Sequence, residues 1–332
     1  MSSMQSNSSA NMTFVRPATF FLIGFSNIPH VKYYFVFLSL VYVVTVLANS
    51  FIMYIIYLAC KLHTAKYIAV FHLALSDLCG SSAVIPKVMD TFLFEHQDIS
   101  YEACFANMFF LYHFMNLQSL TLIVLAYDRL VAICFPLHYH AVVTKPAMFL
   151  ILGLLWILSV TFFSVFVGSM TRLSFCGSNV LDTYFCDYGP IYRLACNDTS
   201  LIIVLVKMCY SLLIFTPLIL IFISYFCIAL VLFKIPDGVD RIKAIKTCTS
   251  HLLLVAIFYM PILSNTIAST ISPLHPNARI INTSLTQTIP PMLNPIIYTL
   301  KSEEVMQSIK ELYKQRKVNT TTERRVKCSR RN

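Results

Sequence analysis

Seven stretches of this chain are apolar for long enough to cross a bilayer as helices: residues 33–58, 67–92, 104–134, 147–168, 202–233, 249–271 and 279–300. A hydrocarbon core about 30 Å thick takes roughly 20 residues at helical rise. Backbone facing lipid must satisfy its own hydrogen bonds, so each stretch is either a helix or a strand of a closed barrel. The runs are far longer than the roughly ten residues of a barrel strand, and with only 7 Gly in 332 residues they do not read as loop-rich sheet. Thr, Ser, Gln and Pro interrupt the seventh run, which is still too apolar for a loop. The expected fold class is an all-α membrane protein, a seven-transmembrane helix bundle with a short cytoplasmic amphipathic helix after the seventh span. Composition agrees: 57% of residues are hydrophobic and 12% charged, about half the charged share of a soluble domain.

Orientation follows from basic residues in short loops. The inner loops hold Lys61 and Lys66, then Lys145, then Lys234, Arg241, Lys243 and Lys246, whereas the first outer loop has Glu95, Asp98 and Glu102. From Lys301 onward there are 10 Lys and Arg against 4 Asp and Glu, which is +6 of the net +10. An odd number of spans then puts the amino end outside and the carboxyl end inside. The first thirty residues are polar, without the basic cluster and apolar core of a signal peptide. They carry glycosylation sequons at Asn7 and Asn11, suited to an extracellular end. The expected organisation is a glycosylated extracellular tail (1–30), a seven-helix domain (31–300) and a basic cytoplasmic tail (301–332). The positive charge reads as topology plus attraction to anionic inner-leaflet lipid, so the bilayer is the partner it implies and nucleic acid is not required.

Eleven cysteines divide by side. Cys60, Cys79, Cys134, Cys209, Cys227, Cys248 and Cys328 lie within or inside the membrane, where small, reduced apolar filler is the expectation. Cys104, Cys176, Cys186 and Cys196 map to the oxidising outer side, and four cysteines allow three pairings. Their spacing does not resemble zinc ligand pairs, so neither metal nor cofactor is expected.

A polar group inside a spanning helix is a functional candidate. Asn49 lies in the first run, His72 and Asp77 in the second, Asn116, Gln118 and Ser119 in the third, and Asn294 in the seventh. Asp77, near mid-helix, is the costliest; we expect it to meet Asn49 and Asn294 in a small polar cluster, with a structural and a switching role equally open. Pro217, Pro261 and Pro295 each remove one helical hydrogen bond and can kink their helices. The stretch Arg241–His251 gives the sixth helix a basic amphipathic inner end, expected to approach Arg129.

The most informative stretch is LAYDRLVAICFPLHY, Leu125 to Tyr139, which sets Asp128 and Arg129 at the end of an otherwise uncharged apolar run. With LHTAKY (Leu62 to Tyr67), KAIKTCTSH (Lys243 to His251) followed by Phe258-Tyr259, PMLNPIIY (Pro291 to Tyr298) and a long outer loop holding Cys176, Cys186 and Cys196, the chain resembles a rhodopsin-like (class A) G protein-coupled receptor, and more narrowly an odorant (olfactory) receptor. The match runs from about Pro29 to Ile309. It departs from the family pattern at Leu130 (usually Tyr), Ala65-Lys66 (Pro-Met), Lys246 (Ser) and Ala48 (Gly).

The resemblance implies that Cys104 pairs with Cys186 and Cys176 with Cys196, the outer loop becoming a lid. It implies an activation latch of Asp128, Arg129 and Tyr225, joined by Asn294, Pro295 and Tyr298 at the seventh helix, with Asn49 and Asp77 as the polar core. It places a small-molecule pocket between helices three, five, six and seven. The residues expected to line it are Leu111, Tyr112, Met115 and Asn116; Cys209 and Tyr210; Tyr259, Ile262, Leu263 and Thr266; and Ser284 and Gln287. The outer half of the third helix has no acid, so the ammonium partner of aminergic receptors is missing there. No Lys precedes Lys301 in the seventh run, which excludes a retinal Schiff base. Lys207, near the outer end of the fifth helix, is expected to snorkel to the interface; the alternative is that it reaches an acidic ligand. The implied function is odorant binding in the plasma membrane, with signalling through a stimulatory olfactory-type heterotrimeric G protein and cyclic AMP. The alternatives are a class A receptor for another small molecule, or a transporter or channel, which would show an internal repeat. No catalytic triad, phosphate loop or metal-ligand His pair marks the spans, so an enzyme is not expected.

Overall fold

The computed structural model describes residues 15–25, 30–93, 96–236, 238–271 and 275–319; the sequons at Asn7 and Asn11 and most of the basic tail lie outside them. Seven long helices follow the apolar runs: α1 Val31–Leu58, α2 Ala65–Leu93, α3 Tyr101–Cys134, α4 Lys145–Met170, α5 Ser200–Leu232, α6 Val239–Ile271 and α7 Pro276–Lys301. An eighth, α8 Glu303–Asn319, follows the seventh. Six of the seven are long and apolar enough to cross a bilayer by composition. The seventh is not among these six because Asn, Thr, Ser and Gln dilute it; it is a helix all the same, packed against α1, α2 and α6.

Local chemistry sets several ends. Ser100 Oγ accepts from the Ala103 amide at 3.2 Å, and Thr144 Oγ1 from the Ala147 amide at 3.3 Å, starting α3 and α4; each satisfies a donor that the first turn leaves free. Pro146 sits in the first turn of α4, where it displaces no helical bond. The sixth helix begins ten residues before its apolar run because the basic stretch from Arg241 continues the helix beyond the membrane. In α5 the turn Ser211–Phe215 is a π-turn that ends two residues before Pro217.

In the bundle α3 packs against α2, α4 and α5, while α7 closes onto α1 and α6. Buried side chains form an outer cluster, which includes Phe163 and Phe166, and an inner one, which includes Tyr67 and Phe258. Exposed apolar residues such as Leu47 and Tyr54 of α1, Leu154 of α4 and Phe222 of α5 form the surface presented to lipid.

The outer face carries a small sheet that the apolar runs do not announce. Its order is β2-β1-β3, with β1 Thr19–Leu22 in the middle, antiparallel to β2 Asp98–Ser100 (Phe20 opposite Ile99) and parallel to β3 Val180–Leu181 (Leu22 opposite Leu181). The segment assigned to an amino-terminal tail thus includes built structure, because Phe20, Leu22 and Phe25 are fully buried under the outer loop. Gly24 is required there: a Cβ on it would stand 2.5 Å from the Thr183 carbonyl carbon.

Both outer disulfides are formed, Cys104–Cys186 with Cα atoms 5.3 Å apart and Cys176–Cys196 with 5.9 Å. Cys79, Cys134, Cys209, Cys227 and Cys248 are free thiols.

Candidate functional site

The Cys104–Cys186 bond pins the outer loop to α3 and so draws the neighbours of Cys186 over the bundle. Phe185, Asp187 and Tyr188 become the roof of a cavity whose walls come from α3, α5, α6 and α7, with about 950 Å³ of empty space, part of it open to solvent. Seven of the expected residues meet there: Tyr112 and Met115 of α3, Cys209 and Tyr210 of α5, Ile262 and Thr266 of α6, and Gln287 of α7. Leu213, Ile214, Asn265, Arg279, Thr283 and Thr286 complete the walls.

Five expected residues do not line this cavity, each for a visible reason. Leu111 is packed in the outer core. Asn116 turns toward α4 and donates to Ser159 Oγ at 3.1 Å. Leu263 packs between helices. Ser284 shares a 2.5 Å hydrogen bond with the Tyr34 hydroxyl of α1. Tyr259 lies one helical turn further in than Ile262, and its hydroxyl shares a 2.6 Å hydrogen bond with Ser119 Oγ. Lys207 is exposed and away from the cavity, as the snorkelling expectation has it, and the cation that lines the cavity is Arg279.

Roof and walls are tied by polar contacts. The Tyr112 hydroxyl donates to Asp187 Oδ1 at 2.7 Å, and the Tyr184 hydroxyl donates to Gln287 Oε1 at 2.9 Å. Burial pushes the Asp187 carboxyl above the usual carboxylate range, against the Tyr112 hydroxyl, the Gly189 and Tyr188 amides and the Arg279 guanidinium, which hold it down. Where α6 meets α7, Asn282 donates to Asn265 Oδ1 at 2.7 Å and to Ser264 Oγ at 3.0 Å, and Asn265 to Thr283 Oγ1 at 3.3 Å.

Under the cavity, Ser119 joins three helices. Its hydroxyl contacts Tyr259 of α6 and lies 3.1 Å from the Leu213 carbonyl of α5, to which it can donate. Leu213 is four residues before Pro217, which has no N–H to give that carbonyl.

Further in, Asn294 of α7 donates to Asp77 Oδ2 at 2.9 Å, with Gln118 of α3 beside it. Asn49 is in contact elsewhere: it donates to the Thr45 and Pro291 carbonyls, each at 2.9 Å, so the expected Asn49–Asp77 contact is replaced by one to α7. Burial of the cluster is complete at Asn49 and Asp77, and Asp77 Oδ1, Asn49 Oδ1 and Asn294 Oδ1 have no hydrogen-bond partner among the described residues.

At the inner face Asp128 is 1% exposed and lies 3.6 Å from the Arg129 guanidinium, with the Tyr139 hydroxyl donating to its other oxygen at 2.8 Å. The Tyr225 hydroxyl of α5 shares a 2.8 Å hydrogen bond with His251 Nδ1 of α6, and the buried Tyr298 hydroxyl of α7 has no partner among the described residues. The start of α8 adds contacts that the sequence did not signal. Glu304 accepts from Lys66 at 2.8 Å and from the Tyr67 hydroxyl, and Glu303 accepts from Lys246 at 2.8 Å.

Seven helices with a disulfide-anchored roof over an outer cavity, and an Asp-Arg pair at the inner end of α3, define a rhodopsin-type bundle. Squid rhodopsin superposes on the chain with a TM-score of 0.68 at 17% identity, covering 89% of this chain and 88% of that one. At the level of sequence, the chain belongs to the olfactory receptor family: the family model for olfactory receptors matches residues 38–316. Mouse olfactory receptor 5K16 is 37% identical over 300 residues, 89% of this chain and 92% of its own. Human olfactory receptor 1F1 is 34% identical over 297 residues, 88% of this chain and 94% of its own. The protein is therefore a multi-pass plasma membrane receptor of the odorant-sensing, G protein-coupled class, and not an enzyme.

Proposed function

We propose that a small odorant binds in the outer cavity between α3, α5, α6 and α7, and that its binding shifts the inner face toward a state that activates a stimulatory olfactory-type G protein and raises cyclic AMP. The observation that carries this reading is the position of Ser119. It bonds the backbone of Leu213, which itself lines the cavity with Met115 and Ile262, and the hydroxyl of Tyr259, one turn beneath Ile262. A ligand pressing on that wall acts on a junction of three helices, two of them weakened by Pro217 and Pro261. A ligand drives such a shift only through unequal affinity for the two states.

At the inner end, the same shift would separate Tyr225 from His251 and free Arg129 from Asp128, with Asn294, Pro295 and Tyr298 carrying the rearrangement into α7. The Asp77–Asn294 bond supports this route, since it joins α2 to the helix that carries both Pro295 and Tyr298.

The test is cyclic AMP in cells expressing the chain with an olfactory-type G protein and challenged with a broad odorant panel. A dose-dependent rise absent from mock cells is expected, and Arg129→Ala should abolish it while surface expression stays near wild type. Signalling that persists in Arg129→Ala would overturn the latch; silence of a surface-expressed receptor would overturn the coupling.

A further inference from the structure

We propose that the cavity selects small organic amines, held as ammonium ions by Asp187 within a cage formed by Tyr112, Tyr188, Tyr210 and Phe185. This rests on the reading of the outer cavity as the ligand site and specifies its chemistry. The outer half of α3 has no acid to face a cation, but the Cys104–Cys186 bond delivers one from the loop: Asp187, the residue after Cys186, lines the cavity.

The company of that carboxyl decides its preference. Tyr112 donates to Oδ1 at 2.7 Å, and the Gly189 amide approaches the same oxygen at 3.5 Å. These donors and the Tyr188 amide are neutral; the Arg279 guanidinium acts on the carboxyl through its charge alone. Among the cavity-lining residues the one cation is Arg279, which is itself exposed on α7. A partly buried acid with neutral donors and a solvated counter-charge rewards an ammonium that reaches it, because an underpaired charge taken out of water is costly.

The rings point the same way. Tyr112 and Tyr188 lie with centroids 5.3 Å apart, and Tyr188 meets Tyr210 edge-on at 6.3 Å, so three rings at different tilts line the same cavity as the acid. Aromatic faces attract cations through their quadrupole, and a cage of them beside a carboxylate is a recurring ammonium site. The same surroundings disfavour an anionic ligand, which would have to approach Asp187 to reach the walls. Met115, Leu213 and Ile262, above the Ser119 junction, leave the floor of the cavity suited to a short apolar remainder.

The experiment compares matched probes on cells expressing the full chain: hexylamine and benzylamine, hexanol and benzyl alcohol, hexanoic and benzoic acid. The amines should act at concentrations about tenfold or more below the matching alcohols, as expected when a desolvated charge pair is at stake. Asp187→Asn keeps the size of the side chain and an acceptor for Tyr112 and Gly189 while removing the charge. It should weaken the amine response by about tenfold or more beyond whatever shift it causes in the alcohol response. Tyr210→Leu, a partly exposed wall position, gives a second reading and should likewise weaken amines more than alcohols.

Alcohols or acids outperforming amines, or Asp187→Asn shifting both classes equally, would overturn the amine assignment while leaving odorant sensing intact. Silence toward all six probes and a broad panel, with surface expression confirmed, would overturn both readings together.

Discussion

The Asn49 side chain of α1 donates to the backbone carbonyl of Pro291 in α7 at 2.9 Å, and that carbonyl is the acceptor that Pro295, lacking an N–H, leaves without its helical donor. Ser119 stands in the same relation to Leu213 and Pro217. In both places a proline weakens a helix and a polar side chain from a neighbour takes over the freed acceptor, as a membrane interior requires. Asn49→Ala should therefore leave a buried carbonyl unpaired, at a cost of roughly 1–3 kcal/mol. The expected result is a lower thermal midpoint for the detergent-solubilised receptor. An unchanged midpoint would mean that the carbonyl finds another donor at no cost.

Ser119 allows a sharper test because it touches both α5 and α6. Ser119→Ala removes both contacts, whereas Tyr259→Phe removes only the one to α6. With any agonist found, the alanine variant should show the larger change in basal and maximal cyclic AMP, and the phenylalanine variant a smaller change of the same sign. Equal effects from both would assign the whole coupling to Tyr259 and leave the Leu213 contact without a role.

The two outer disulfides should differ in consequence. Cys104–Cys186 closes 82 residues of chain and Cys176–Cys196 only 20; loop-closure entropy gives roughly 2–4 kcal/mol for each, more for the longer. The first also positions Phe185 and Asp187 over α3. Serine at Cys104 and Cys186 should remove both stability and ligand response, while serine at Cys176 and Cys196 should cost stability with a smaller loss of potency. Thermal midpoints and dose–response curves on the surface-expressed fraction separate the two.

Apolar run length was enough to read six helices, and the seventh as well, although its hydropathy is diluted by groups that turn out to face α1, α2 and α6. Residues at helical spacing in α3, α5 and α6 were legible as cavity walls where the face was unambiguous, as for Tyr112 and Met115. Asn116 was not, since its choice between the cavity and Ser159 depends on where α4 packs. Arg279 escaped because a cation at the outer end of α7 reads as a membrane boundary rather than a wall, and Asp187 because nothing local marks a loop residue as part of a roof. The usable signal was adjacency to Cys186, once its partner was assigned to α3. Phe20, Leu22 and Phe25 belong to an apolar run of only six residues, FFLIGF, too short to span a bilayer, and it forms a strand only against the outer loop. Partners for the basic inner residues were equally hidden: Lys66 and Lys246 read as topology, yet each meets a neighbouring glutamate at the start of α8.

That last arrangement predicts a restraint on the sixth helix. Lys246 of α6 meets Glu303 of α8 at 2.8 Å, and an outward swing of the inner end of α6 must break the pair. Both groups are well exposed, so salt and water weaken the attraction and its hold on the resting state is small. Lys246→Glu should raise basal cyclic AMP, by no more than about fivefold, because it adds repulsion between α6 and α8. Combining it with Glu303→Lys restores the attraction in the opposite sense and should bring basal signalling back toward wild type. The two single variants and the double variant form a cycle in which only the pair's interaction fails to add. If the double variant shows the sum of the single effects, Lys246 acts on something other than Glu303, and the restraint is absent.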